Sequence, residues 1–170
     1  LKENDFLYAK EKGLVIKLIA KSHQNNKGEL KNISVLPTFI EKDHSLSNTN
    51  NEFNGVLIGS SLANEQFLCG KGAGRYPTSS AVLSDISALK YGYRYKYKKG
   101  LRDSSEPSKE LVKCYVSFDR EIVFDNSVFD SINEEYSCKN TQYMIGYIQA
   151  TLIRDTPLFE DKRISLICYN

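Results

Sequence analysis

Phe67-Leu-Cys-Gly-Lys-Gly-Ala-Gly-Arg-Tyr-Pro-Thr78 leads from a short apolar segment, through glycines at 70, 72 and 74, into an amphipathic helix. Glycine carries no Cβ, so a backbone built this way can lie close against a ligand. A helix starting just after it offers free N–H groups and positive dipole character, which suit phosphate or another anion. The helix is legible from Val82, Ile86 and Leu89, at spacings of four and three, with Leu83 widening the stripe. Thr78 is its N-cap candidate. The glycine spacing is neither the GxGxxG of a dinucleotide fold's first turn nor a Walker loop. On the glycines alone, a tight strand-to-helix turn with no ligand therefore stands as the alternative.

Upstream, residues 4–12 read as a short helix with Phe6, Leu7 and Ala9 on its apolar side and Gly13 as its stop. Residues 14–20 then read as a strand, with Ile16, Leu18 and Ala20 on one face and Val15, Lys17 and Ile19 on the other. A turn over 23–28 leads to a strand over 33–40. Pro37 within it points to an edge or a bulge. Residues 56–58 and 67–69 read as a second hairpin.

Downstream, residues 91–107 read as a boundary, aromatic and basic at first and then polar. Strands are predicted over 111–118, 143–153 and 164–169, and a helix over 127–135, with Val128, Phe129 and Ile132 as its apolar side. The fold class expected is α+β: a mixed, mainly antiparallel sheet with flanking helices, plus a small C-terminal α+β unit.

The chain has 170 residues, 41% of them apolar, and a formal net charge of +2. That apolar fraction supports a buried core. The near-neutral charge argues against a nucleic-acid partner, even with the alternating Tyr-Arg-Tyr-Lys-Tyr run over 93–97. No apolar run is long enough to span a bilayer, so no membrane partner is expected. Cys69, Cys114, Cys138 and Cys168 form no CxxC pair, and the histidines are His23 and His44. No metal site is expected, and the scattered cysteines read as reduced thiols of a cytoplasmic protein. The start at Leu1 rather than Met reads as a fragment boundary.

Several separate segments, in order over residues 1–90, resemble homoserine dehydrogenase downstream of its catalytic lysine motif. They are Asn-Asp-Phe-Leu-Tyr-Ala-Lys-Glu-Lys-Gly13 with Val-Ile-Lys-Leu-Ile-Ala20, then Val35-Leu-Pro37, Asp43-His-Ser-Leu46 and Asn54-Gly-Val56. The last is Gly70-Lys-Gly-Ala-Gly-Arg-Tyr-Pro-Thr-Ser-Ser-Ala-Val-Leu-Ser-Asp-Ile86. The resemblance implies NAD(P)-dependent interconversion of L-homoserine and L-aspartate 4-semialdehyde, in the pathway to threonine and methionine. It implies a glycine loop beside the nucleotide, with Gly72, Ala73 and Gly74 as cofactor-binding positions, a small-molecule substrate, and a homodimer. It also implies that the helix from 78 onward packs against the nucleotide domain.

The departures are as informative. No segment matches the family's Rossmann domain or the stretch with its acidic substrate ligands and catalytic lysine. No catalytic residue is therefore assigned in this chain, and the choice between NAD and NADP is not legible in it. Lys17 reads as a lysine covering apolar surface with its stem, His44 as an ordinary turn histidine, and Asp85 as a hydrogen-bonding helix residue. Lys2 stands where the family often has Ser or Thr in a capping box with the acid at Asp5. A lysine cannot accept that bond, so a frayed helix start is expected.

The expected layout is a partial catalytic and dimerisation region over 1–92, a linker over 93–108, and an ACT-like unit over 109–170. For that last unit a ferredoxin-like βαββαβ order is implied, with its later helix around 157–162. The rival reading is a stand-alone regulatory or dimerisation module derived from such an enzyme.

Overall fold

The computed structural model describes residues 1–24, 30–93, 110–139 and 142–170. Most of the expected turn at 23–28 and of the linker at 93–108 lies outside them. In chain order come α1 (Glu3–Glu11), β1 (Leu14–Gln24), β2 (Leu30–Glu41), β3 (Phe53–Ser60), β4 (Asn64–Lys71) and α2 (Arg75–Lys90). Then follow β5 (Leu111–Phe118), β6 (Phe129–Ser137), β7 (Gln142–Gln149), α3 (Ala150–Asp155) and β8 (Ile164–Tyr169). Short 3-10 turns stand at Ser45–Asn48, Asn126–Val128 and Pro157–Glu160. The fold is α+β, with a mixed six-stranded sheet and a separate two-stranded hairpin.

Contacts divide the chain into Leu1–Lys42 together with Arg102–Asn170, and Asp43–Leu101. That is not the division expected at 93–108. The first unit holds one sheet in the order β1-β2-β8-β5-β7-β6. Every neighbouring pair is antiparallel except β2 and β8, which run parallel through Thr38 opposite Cys168 and Phe39 opposite Tyr169. The strands of the expected C-terminal unit thus continue the sheet begun by the N-terminal hairpin. Pro37, expected at an edge or bulge, lies in an interior strand. It has no N–H to donate, and it sits where the short ladder to β8 ends.

Period-two alternation gives the sheet two apolar faces. On one, Phe39, Tyr115, Tyr143, Ile145 and Ile167 pack with Tyr8 and Ala9 of α1. On the other, Cys114, Val116, Phe118, Met144, Ile148, Ile164 and Cys168 form the core. Ile153 of α3 and Leu158 and Phe159 of the following turn pack against it. Tyr8, Tyr115 and Tyr143 cluster with ring centroids 4.7–5.1 Å apart.

α1 is not frayed. The Lys2 amide donates to Asp5 Oδ2 at 2.7 Å, which is one half of a capping box. The Asp5 amide donates to the Lys2 carbonyl at 3.0 Å in place of a side-chain acceptor, and the Lys2 side chain adds long-range anchoring. Lys2 Nζ donates to Asp119 Oδ1 at 2.7 Å and to the Arg163 carbonyl. Asp5, 0% exposed, also accepts from Ser117 Oγ at 2.6 Å and from the Tyr115 hydroxyl at 3.3 Å. Gly13 then ends the helix turn with φ 71°.

The helix expected over 127–135 is a 3-10 turn followed by β6. Register shifts between Phe129 and Ser131 and between Ile132 and Glu134 mark bulges in β6. Each bulge adds a residue on one strand, so Phe129 and Ile132 fall three apart and mimic a helical stripe. The strand expected over 143–153 ends at Gln149 and turns into α3, ahead of the helix expected around 157–162.

Candidate functional site: the glycine loop and its hairpin

The second unit is built on the β3–β4 hairpin, in register from Phe53 opposite Lys71 to Ser60 opposite Asn64. The 3-10 turn Ser45–Asn48 caps one face of it. A Cβ on Gly55 would press on Thr49, Leu46 and Phe67, all within 3.0 Å, so glycine is required there for close approach. At the open end of the hairpin the Lys71 ammonium pairs with Glu52 Oε1 at 2.8 Å and stands over the Phe53 ring at 5.4 Å. The hydrogen bond from Lys71 is the main reason the Glu52 carboxyl is held below the usual carboxylate range. The Gly72 amide donates to the Glu52 carbonyl at 2.7 Å. A side chain on Gly72 would collide with that of Asn54.

These contacts clamp the loop at Gly72 and release it toward α2. Gly74 takes φ 114° and ψ 158° as the N-cap of α2, a conformation that L side chains rarely adopt. Space is not the constraint, since a Cβ there would meet only Pro77, at 3.6 Å. The helix starts at Arg75 rather than after Thr78. Pro77 is tolerated because the first turn leaves its N–H groups without an intrahelical acceptor. Thr78, expected as the N-cap, donates its hydroxyl to the Gly74 carbonyl at 2.8 Å and its amide to the same atom at 3.2 Å. Ser79 repeats the hydroxyl bond onto Arg75. The outcome is an exposed stretch of backbone, Gly72-Ala-Gly74, carrying only the Ala73 methyl, at the positive end of a 16-residue helix with Arg75 as its first residue. Such a wall can lie against an anionic ligand.

Gly72, Ala73 and Gly74 are thus brought together as one surface. Lys17 lies half-buried in β1 opposite Thr38, in the other unit. His44 caps the 3-10 turn, its Nδ1 accepting the Leu46 amide at 3.1 Å, which is a positioning task. Asp85 is exposed on α2. Among the described residues no group of His, Cys, Asp and Glu is placed to hold a metal ion. None of their helices is long and apolar enough to cross a membrane. Glu52, which backs the loop with Asn54, stands in none of the motifs read from the sequence, where Asn54 enters only as the start of Asn54-Gly-Val56. Counting the hairpin register back from its turn would have placed Asn54 opposite Gly70, and so beside the loop.

A family model described as homoserine dehydrogenase matches residues 1–87. The homoserine dehydrogenase of Synechocystis sp. is 42% identical over 84 residues, 48% of this chain and 19% of that protein. That of Helicobacter pylori is 32% identical over 123 residues, 67% of this chain and 27% of that protein. The crystal structure of a homoserine dehydrogenase from Thiobacillus denitrificans superposes with a TM-score of 0.69 at 19% identity. It covers all of this chain and 46% of its own. One from S. aureus, at pH 8.5, gives 0.58 at 19% identity, covering 98% and 44%. At such identities the structural likeness bears on the fold alone. The chain spans between 19% and 27% of the length of these curated relatives. With more than half of its residues, the glycine loop among them, under one family model, the chain belongs to the homoserine dehydrogenase family.

Proposed function

We propose that this chain is part of an NAD(P)-dependent homoserine dehydrogenase, interconverting L-homoserine and L-aspartate 4-semialdehyde in threonine and methionine biosynthesis in the cytoplasm. The observation that carries this reading is the clamped loop Gly72-Ala-Gly74 at the head of α2, inside the family-matched segment. Its sparse side chains, a single methyl at Ala73 between two glycines, and its positive helix end fit one wall of a nicotinamide dinucleotide site. When bound, the cofactor supplies or takes the hydride. The loop's own part is to border the nucleotide.

Catalysis needs that nucleotide oriented against substrate by groups outside these 170 residues. The chain alone is therefore inactive. Purified, contaminant-free 170-residue protein is expected to show no NAD(P)H turnover with aspartate semialdehyde. Turnover above a mock purification would end this reading of the chain as an incomplete catalytic unit.

The C-terminal strands support a second element of the proposal, an ACT-like unit over residues 109–170. In the order β8-β5-β7-β6 the first and third strands of this stretch lie at the centre. That order suits a ferredoxin-like unit whose first helix has shrunk to the turn Asn126–Val128.

A further inference from the structure

We propose that Cys114 and Cys168 form a reversible redox-modification site, oxidised by a hydroperoxide to a disulfide that bonds β5 covalently to β8. The two residues are direct partners in the β5–β8 register, and their sulfurs lie 3.9 Å apart with no atom of another residue needed to bring them together. Opposed residues of antiparallel strands have Cα atoms about 4.5–5.5 Å apart, inside the range of about 4.4–6.8 Å that a disulfide spans. Oxidation therefore needs side-chain rotation and not strand movement. Neither cysteine has a task in the glycine loop, and both lie in the other unit.

The two thiols are not equivalent. Cys114 is 0% exposed and Cys168 retains 5%, so an oxidant entering from solvent meets Cys168 first. The two sulfurs are within hydrogen-bonding reach of one another, Cys114 Sγ also lies 3.4 Å from the Val112 carbonyl, and Lys21 adds a positive field. The sulfur pairing and Lys21 hold the Cys168 thiol below its ordinary range, while the same pairing pushes Cys114 up. The thiolate is the reactive form. The Cys168 thiolate attacks one peroxide oxygen; an S–O bond forms, the O–O bond breaks, and the leaving hydroxide or alkoxide takes a proton. Cys168 is then a sulfenic acid. The Cys114 sulfur attacks the Cys168 sulfur, an S–S bond forms, and the S–O bond breaks. The released hydroxide takes the Cys114 proton as water. One peroxide is reduced by two electrons, and the two thiols are oxidised by two.

The test uses the full 170-residue chain carrying Cys69→Ser and Cys138→Ser. The folded protein is treated with hydrogen peroxide, quenched with catalase, denatured in N-ethylmaleimide, digested and read by mass spectrometry. The expected product is a pair of peptides joined through Cys114 and Cys168, and absent after dithiothreitol. With Cys114→Ser added, Cys168 should instead be captured by dimedone as the sulfenic acid. Recovery of both cysteines as maleimide adducts, while Cys69 of the unsubstituted chain is oxidised under the same conditions, would overturn the proposal. The linked pair is read in a chain that keeps both cysteines, so the result stands even if the Cys114→Ser chain folds poorly.

Discussion

Gly74 and Asp5 show how single residues act here through very different means. At Gly74 the demand is conformational: φ is 114° and the space around a Cβ is open. A side chain forced into this essentially glycine-only backbone region costs on the order of 1–3 kcal/mol, and a branched one also covers the backbone beside it. In the full-length enzyme, Gly74→Val should leave the fold intact and weaken NAD(P)H binding by about tenfold, read by fluorescence titration. An unchanged titration in a folded variant would remove Gly74 from the site. At Asp5 the demand is for a hydrogen-bond acceptor. Asp5→Ala strands the buried Ser117 and Tyr115 hydroxyls and removes the acceptor of the half-buried Lys2 amide. Leaving buried donors unmet costs about 1–3 kcal/mol, so the urea midpoint should fall clearly, and a midpoint equal to that of the parent chain would show the network to be dispensable. Sequence reading saw Asp5 only as half of a capping box. Its other partners lie more than a hundred residues away, where no local pattern reaches.

The elements that were legible are those whose apolar pattern is undisturbed. β5 and β8 are mainly apolar, broken only by Lys113, Ser117 and Ser165, and appear with the bounds the sequence suggests, and α2 announces itself through Val82, Ile86 and Leu89. β6 was misread because two bulges shift its apolar residues off period two. Gly146 of β7 lies directly opposite Ile132 of β6, between the two bulges. A Cβ on Gly146 would collide with the Ser131 carbonyl and crowd Phe129 and Ile132. Gly146→Val should therefore push β6 away from β7 and destabilise the sheet by about 1–3 kcal/mol, as overpacking does. The check is thermal unfolding followed by circular dichroism, with the melting temperature expected to drop. A valine variant as stable as the parent would mean that β6 is free to shift at no cost. The start of α2 was misplaced for a local reason. Gly74 supplies the cap through its backbone, so the helix could begin three residues ahead of Pro77's hydroxyl neighbour Thr78.

For the molecule as a whole, the two units differ in how much apolar surface they leave bare. In residues 43–93, Val56, Ile58 and Leu68 of the hairpin and Val82, Leu83, Ile86 and Leu89 of α2 are all exposed. Exposed apolar stripes of this kind mark an association face, and covering a helical stripe like that of α2 is worth on the order of a few kcal/mol. The isolated chain should self-associate through this unit. Static light scattering across a concentration range is expected to show a mass rising above the monomer, and a strict monomer would reject the expected homodimer. The glycine loop and the order of its neighbours were readable from the sequence. The single sheet uniting both ends of the first unit was not, because among the described residues its strands are joined there by the short parallel ladder of β2 with β8. That ladder has a consequence for synthesis. When the ribosome has released β1 and β2, the inner edge of β2 has no strand to meet, and it waits until β8 emerges more than a hundred residues later. During that interval the nascent hairpin offers an open edge of the type that templates aggregation. A chaperone that shields strand edges early should therefore raise the yield of folded chain more than one supplied after release.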